Sequence, residues 1–88
     1  MKTILLLEDN ADRIVAFQWA VGEIPDARLI IWRDAHEMIR DLPQHLDGAS
    51  LISLDHDLVA QDGSSEDPGT GLDVCDALAK HAPVCPVI

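Results

Sequence analysis

The chain has 88 residues, of which 48% are hydrophobic, and its 16 acidic and 6 basic side chains give a formal net charge of −10. This length limits the chain to one small domain, and the hydrophobic content predicts a packed core rather than disorder. The acidic excess argues against a polynucleotide-binding surface, which needs clustered Lys and Arg, and it suits a site that binds cations.

The first part of the chain alternates between a strand pattern and a helix pattern. The continuous apolar run at residues 4–7 is typical of a strand buried on both faces of a parallel sheet. Asn10 is placed to cap a first helix, in which apolar residues recur at helical spacing until Gly22. A Pro-Asp turn then leads into a second predicted strand at residues 28–32.

The middle of the chain repeats this alternation. Asp34 and Glu37 form a pair resembling a capping box, which predicts the start of a second helix. Pro43 is expected to bend or end that helix. Residues 50–54 are the third predicted strand.

The last part of the chain contains a long polar loop at residues 59–68, a third helix and a fourth strand. Thr70 and Asp73 are expected to cap the third helix, and residues 84–88 form the fourth predicted strand. The resulting order, βαβαβαβ, indicates a parallel sheet with helices on its faces. Because strand 84–88 would lack a neighbour on its far side, we expect self-association through this edge.

Acidic residues follow the first and third predicted strands. Glu8 and Asp9 come directly after the first strand, and Asp55, His56 and Asp57 follow the third. In the flavodoxin-like strand order 2-1-3-4-5, these two strand ends meet where ligands usually bind. Carboxylates held this close need protonation or a cation, and Mg²⁺ or Mn²⁺ suits such oxygen ligands. The alternative is that the first cluster is only an acidic helix start.

The other histidines, the tryptophans and the acidic residues of the long loop are expected to have structural rather than functional roles. The three remaining histidines are expected at surfaces or helix ends, the two tryptophans in packing, and the loop acids in solvent. These residues are His36, His45, His81, Trp19, Trp32, Asp62, Glu66 and Asp67.

The cysteines and the N-terminus indicate the cellular compartment that is expected for this chain. Cys75 and Cys85 lie in apolar patterns without a C-x-x-C pairing, which favours buried free thiols and a reducing cytoplasm. The N-terminal apolar run is too short for a signal peptide or a membrane span, so no membrane association is expected.

Several segments of the sequence resemble response-regulator receiver domains. ILLLEDN is similar to the opening strand of these domains, and LISLDHDL is similar to the third strand with its phosphoacceptor aspartate. PGTGLDVCDALAK and VCPVI resemble the Gly-containing loop, third helix and fourth strand. The resemblance implies one receiver-like domain over residues 1–88, a flavodoxin-like, doubly wound parallel sheet in three α/β/α layers that ends early, after its fourth strand.

The resemblance also implies roles for individual residues. By position, Glu8 and Asp9 match the acidic pair that binds Mg²⁺, and Asp55 matches the phosphoacceptor. The backbone carbonyl of Asp57 matches the third metal contact.

The sequence departs from the usual receiver pattern in two ways. His56 and Asp57 stand where receivers usually have uncharged residues, and LDHDL with a later DPGTG resembles the cyclic-phosphate-processing receiver branch more closely. The Ser or Thr and the Lys that receivers carry after the fourth and fifth strands have no counterpart before Ile88. The chain is therefore expected to be a fragment, or to function without those groups.

Three functions remain open at this point. The first is metal-assisted hydrolysis or opening of a cyclic phosphate, with Asp55 as nucleophile or general base and His56 or Asp57 transferring a proton. The second is phosphorylation of Asp55 by a partner kinase in two-component signalling. The third is a metal-binding interaction module without catalysis. The expected partner is therefore a small phosphate-containing ligand or a kinase.

Overall fold

In the computed structural model, residues 2–55, 69–81 and 84–88 are described, and they form a parallel β-sheet with α-helices. Strands and helices alternate along the chain, as the sequence predicts. The elements are β1 (Lys2–Leu7), α1 (Ala11–Gly22), β2 (Ala27–Trp32), α2 (Ala35–His45), β3 (Ala49–Leu54) and α3 (Gly71–Leu78), with a short 3₁₀ turn at Leu46–Gly48 before β3.

The three strands are parallel and lie in the order β2-β1-β3. This order agrees with the first three positions of the predicted 2-1-3-4-5 arrangement. Strand β1 is central and pairs with both neighbours, so its carboxyl end at Leu7 lies beside Trp32 of β2 and Leu54 of β3. Leu5, Leu6 and Leu7 are at most 1% exposed, as expected for a strand covered on both faces.

The predicted fourth strand at residues 84–88 is reduced to one parallel bridge, between Val87 and Ile52 of β3. Backbone hydrogen bonds of 3.0, 2.8 and 2.9 Å join Pro86 and Ile88 to Ile52 and Leu54. Pro86 accepts one of these bonds but has no N–H to donate, which limits how far a regular ladder extends. The segment lies on the side of β3 that the predicted order requires, but it does not form a full strand.

Local capping explains where the three helices begin, and it confirms the predicted starts. The Asn10 side chain accepts a hydrogen bond from the Arg13 N–H, and the Asp34 side chain accepts one from the Glu37 N–H. At α3, Thr70 and Asp73 form a reciprocal capping box, as the sequence predicts. These bonds satisfy N–H groups that a helix cannot pair internally.

The main hydrophobic core joins one face of the sheet to α2 and α3. Leu5 and Leu7 of β1 contribute to it together with Met38 and Leu42 of α2 and Val74 of α3. Alternation along β1 directs Ile4 and Leu6 to the opposite face. There α1 supplies the buried side chains Ile14 and Val21.

Of the two predicted effects of Pro43, ending α2 is wrong. Pro43 lies inside α2, which continues to His45, because the buried Leu42 and Leu46 on either side of Pro43 keep the last turn packed against the core. The prediction for Trp19 is also wrong. Trp19 is 73% exposed and does not pack, whereas Trp32 is buried as predicted. Trp19 lies on the side of α1 that faces away from the sheet.

Cys75 and Cys85 are free and half-buried, and both pack against the core. Within the described residues, no helix is long and apolar enough to cross a membrane.

Candidate metal centre

The carboxyl ends of β1 and β3 lie side by side, and backbone hydrogen bonds fix the residues that follow them. The Glu8 N–H donates to the Trp32 carbonyl at 3.0 Å, which holds Glu8 against β2. The Asp55 N–H donates to the Leu7 carbonyl at 2.9 Å, which holds Asp55 against β1. Two acidic residues far apart in sequence are therefore neighbours because parallel strands end at one edge of the sheet.

Three carboxyl groups converge at this edge. Glu8, Asp9 and Asp55 each offer one oxygen, and these oxygens all lie within 4.8 Å of one another. Glu8 is only 5% exposed, whereas Asp9 and Asp55 are half-buried. We call these three residues the acidic cluster.

The Glu8 carboxylate has two identified contacts on its Oε1 atom. The Asn10 N–H donates to it at 3.2 Å, and the Arg13 guanidinium lies 3.7 Å away. Asn10 thus links the cluster to the start of α1, because its own side chain caps that helix. Arg13 has an exposed side chain, so its attraction for Glu8 is screened by water.

The pKa of Glu8 is raised above its ordinary value. Burial is the main cause, since a carboxylate loses hydration when it leaves water, and the negative charge of nearby Asp55 adds to it. The hydrogen bond from Asn10 and the positive charge of Arg13 act in the opposite direction but do not cancel these effects. In the absence of a cation the folded chain therefore disfavours the charged form of Glu8.

The donor set of the acidic cluster fits a hard divalent cation. Three carboxylate oxygens suit Mg²⁺ or Mn²⁺, which bind such ligands and retain water molecules that a phosphate can replace. A cation here would also relieve the mutual repulsion and the cost of burying Glu8. Exposed acidic groups often cluster without a metal, but a buried glutamate among them is less ordinary.

The structure brings together part of the predicted site. Glu8, Asp9 and Asp55 are adjacent, while His56 and Asp57 lie outside the described residues, and so do the loop acids at positions 62, 66 and 67.

Arg13 was not predicted from the sequence to be part of this site. A basic residue in the first turn of a helix is unfavourable beside the helix dipole, and this was an available signal of a nearby carboxylate.

Comparison with known proteins gives no relative: no family model, no curated protein and no solved structure matches this chain. The interpretation of the acidic cluster therefore depends on its own geometry and chemistry.

Proposed function

We propose that this chain is a receiver-like, flavodoxin-like domain that uses a divalent cation to hydrolyse or open cyclic phosphates at the acidic cluster. The observation that carries the proposal is the convergence of Glu8, Asp9 and Asp55 at the carboxyl edge of a parallel sheet. Phosphate ligands often bind at such an edge, where the N–H groups of a nearby helix N-terminus also attract anions. The resemblance of the sequence to the cyclic-phosphate-processing receiver branch supports the choice of substrate.

Glu8 and Asp9 are proposed to hold the cation, with Asp55 as a shared ligand. The cation would neutralise charge on the phosphoryl oxygens and polarise the phosphorus–oxygen bonds. Glu8 is the fixed member of the set, because it is buried and its backbone is bound to β2. Asp9 and Asp55 are half-buried and can present an oxygen to a ligand that arrives from solvent.

The proposed reaction adds one water molecule to the cyclic ester. Asp55 takes a proton from that water while the water oxygen forms a bond to phosphorus. The bond from phosphorus to one ring oxygen breaks, and that oxygen takes a proton from His56 or Asp57. The product is a phosphomonoester with a free hydroxyl group, so atoms and charge balance without a further reactant.

The alternative is that Asp55 accepts a phosphoryl group from a partner kinase. The half-buried position of Asp55 directly after β3 also supports phosphorylation, because its carboxylate can reach a bound phosphoryl donor. In that case an aspartyl phosphate would accumulate, and no cyclic substrate would be consumed.

The deciding experiment incubates the protein and Mg²⁺ with a 2′,3′-cyclic nucleotide, and separately with a small phosphodonor. We expect turnover of the cyclic nucleotide, with Asp55→Asn lowering the rate by about 10²- to 10⁴-fold and His56→Ala lowering it less. Product is measured by chromatography, and aspartyl phosphate by intact mass.

The matched control is Asp47→Asn, which removes an exposed aspartate from the turn before β3 and should leave the rate unchanged. A stable phosphoprotein that Asp55→Asn abolishes, without cyclic-nucleotide turnover, would establish the relay alternative instead. Metal-dependent stabilisation with neither reaction would leave a binding module.

A further inference from the structure

Helix α1 carries apolar side chains on its outer side as well as on the side that faces the sheet. Ile14 and Val21 are buried, whereas Val15 is 50% exposed and Trp19 is 73% exposed. Adjacent exposed apolar side chains form a contiguous patch, and such patches can mark sites of protein–protein interaction. Val15 and Trp19 are one helical turn apart, so they form a ridge along the axis of α1.

This ridge borders a surface groove of about 320 Å³, which we call the α1 groove. Its lining combines the two apolar side chains with one amide, one glycine and one carboxylate. The lining residues are Val15, Gln18, Trp19, Gly22 and Glu23. Apart from its chain neighbours and the backbone of its own helix, no described atom lies within 4 Å of the position where a Cβ of Gly22 would stand, so the groove is open at that point. Ridges spaced four residues apart fit the grooves of another α-helix.

The charges around the α1 groove select the kind of helix that fits. Glu23 follows Trp19 by one turn, so a basic side chain can lie over the indole face while it reaches the carboxylate. The whole chain carries a net charge of −10, which repels a second copy and any polyanion and attracts a basic partner. Arg13 lies near the other end of α1, beside Glu8, and does not line the groove.

We propose that the α1 groove binds an amphipathic helix of a partner protein, whose apolar stripe is flanked by Arg or Lys. The apolar stripe covers Val15 and Trp19, and a flanking basic residue pairs with Glu23. The groove occupies the second half of a 12-residue helix, so the contact is small and the association is weak and sensitive to salt. This surface is separate from the acidic cluster, and its occupancy does not depend on the proposed reaction.

The test uses dye-labelled synthetic helical peptides of about 18 residues and measures fluorescence anisotropy. One peptide has a leucine stripe flanked by arginines, the second has glutamates in place of the arginines, and the third has serines in place of the leucines. We expect the first peptide alone to bind, and its affinity to fall with added NaCl.

Variants of the protein locate the binding surface. Trp19→Ala should weaken binding by about tenfold, and Glu23→Gln by about threefold with a smaller dependence on salt. Leu72→Ala is the matched control, because it removes an apolar side chain that is 61% exposed on α3 instead. Circular dichroism verifies that each variant is folded.

Four results would overturn the proposal. The first is that the leucine–arginine peptide does not bind, and the second is that the glutamate peptide binds with the same affinity. The third is that Leu72→Ala weakens binding as much as Trp19→Ala does. The fourth is that sedimentation shows a homodimer that Trp19→Ala abolishes. The last result would assign the α1 groove to a second copy of the chain.

Discussion

Among the residues that the structure describes, Glu8 has an unusual environment, because its carboxyl group is almost fully buried beside Asp55. Its raised pKa means that the folded state disfavours the charged form more than the unfolded state does. The folded state is therefore helped by protonated Glu8 below the ordinary pKa of 4.5, and this advantage is lost as pH rises through the raised folded value.

We expect Glu8→Gln to raise the melting temperature of the metal-free protein at pH 7, because the amide removes a buried charge and its repulsion by Asp55. The gain should shrink as the pH falls towards 4.5, where wild-type Glu8 takes up a proton. The same variant should lose most of the stabilisation that we expect Mg²⁺ to give to wild type. Thermal melts at several pH values, with and without Mg²⁺, measure all three effects.

Glu23→Gln is the matched control for this prediction, since it removes an exposed glutamate without touching the acidic cluster. A metal-free Glu8→Gln protein that melts below wild type at pH 7 would show that the Glu8 charge is compensated in the folded state.

At this scale the sequence predicted which carboxyl groups meet, because the ends of neighbouring parallel strands follow from the strand order. It did not predict the burial of Glu8 or its pairing with Arg13, since both depend on how α1 packs after Asn10. The exposure of Trp19 was missed for a similar reason. An apolar pattern on both sides of a helix does not reveal which side faces the sheet.

Among the secondary-structure elements, the start of α3 depends on the backbone of Gly69. This residue has a φ of +76°, a conformation that costs residues with a Cβ atom more than it costs glycine. A Cβ atom here would also stand 2.9 Å from the Ala35 Cβ and 3.0 Å from an Asp73 carboxylate oxygen. The glycine at position 69 therefore allows the first turn of α2 and the start of α3 to lie this close together.

We expect Gly69→Ala to lower the free energy of unfolding by about 1–3 kcal/mol, from backbone strain and the contact with α2. Gly48→Ala is the matched control, because no described atom other than those of its chain neighbours and local backbone lies within 4 Å of the added Cβ. It should change stability by about 0.5 kcal/mol or less. Urea denaturation measures both values. Equal losses in the two variants would contradict the steric argument.

Helix starts and most strands were predictable because their signals are local. Asn10, Asp34 and Thr70 each cap the helix that follows, and the buried runs in β1 and β3 follow from apolar sequence. The end of α2 was not predictable in this way, because tertiary packing of Leu42 and Leu46 outweighs the local effect of Pro43. Residues 84–88 have the composition of a strand, but they pair only through a single bridge.

For the molecule as a whole, the net charge of −10 means that salts can stabilise the fold in two ways. Any salt can screen the repulsion between the acidic side chains, whereas Mg²⁺ can also bind at one site. Self-repulsion lowers the stability of the compact state, so NaCl should raise the melting temperature of wild type and Asp9→Asn alike. Mg²⁺ at constant ionic strength should raise only the melting temperature of wild type, because we propose that the acidic cluster binds the cation in the folded state alone. The stabilisation would reach about 2.7 kcal/mol at one hundred times the dissociation constant.

Differential scanning fluorimetry across matched NaCl and MgCl₂ series measures this separation. An equal response of wild type and Asp9→Asn to Mg²⁺ would show that the cation only screens charge and has no site at the acidic cluster.

The strand order has a consequence for the rates of folding. Pairing β1 with β2 closes a shorter stretch of chain than pairing β1 with β3, so loop-closure entropy favours the β1–β2 pair as the first to form. Glu8 is then in place before Asp55 arrives. A cation that needs both residues stabilises a contact made late in folding, and such a contact slows unfolding more than it speeds folding. Bound metal would thus lengthen the lifetime of the folded chain while leaving its folding rate almost unchanged.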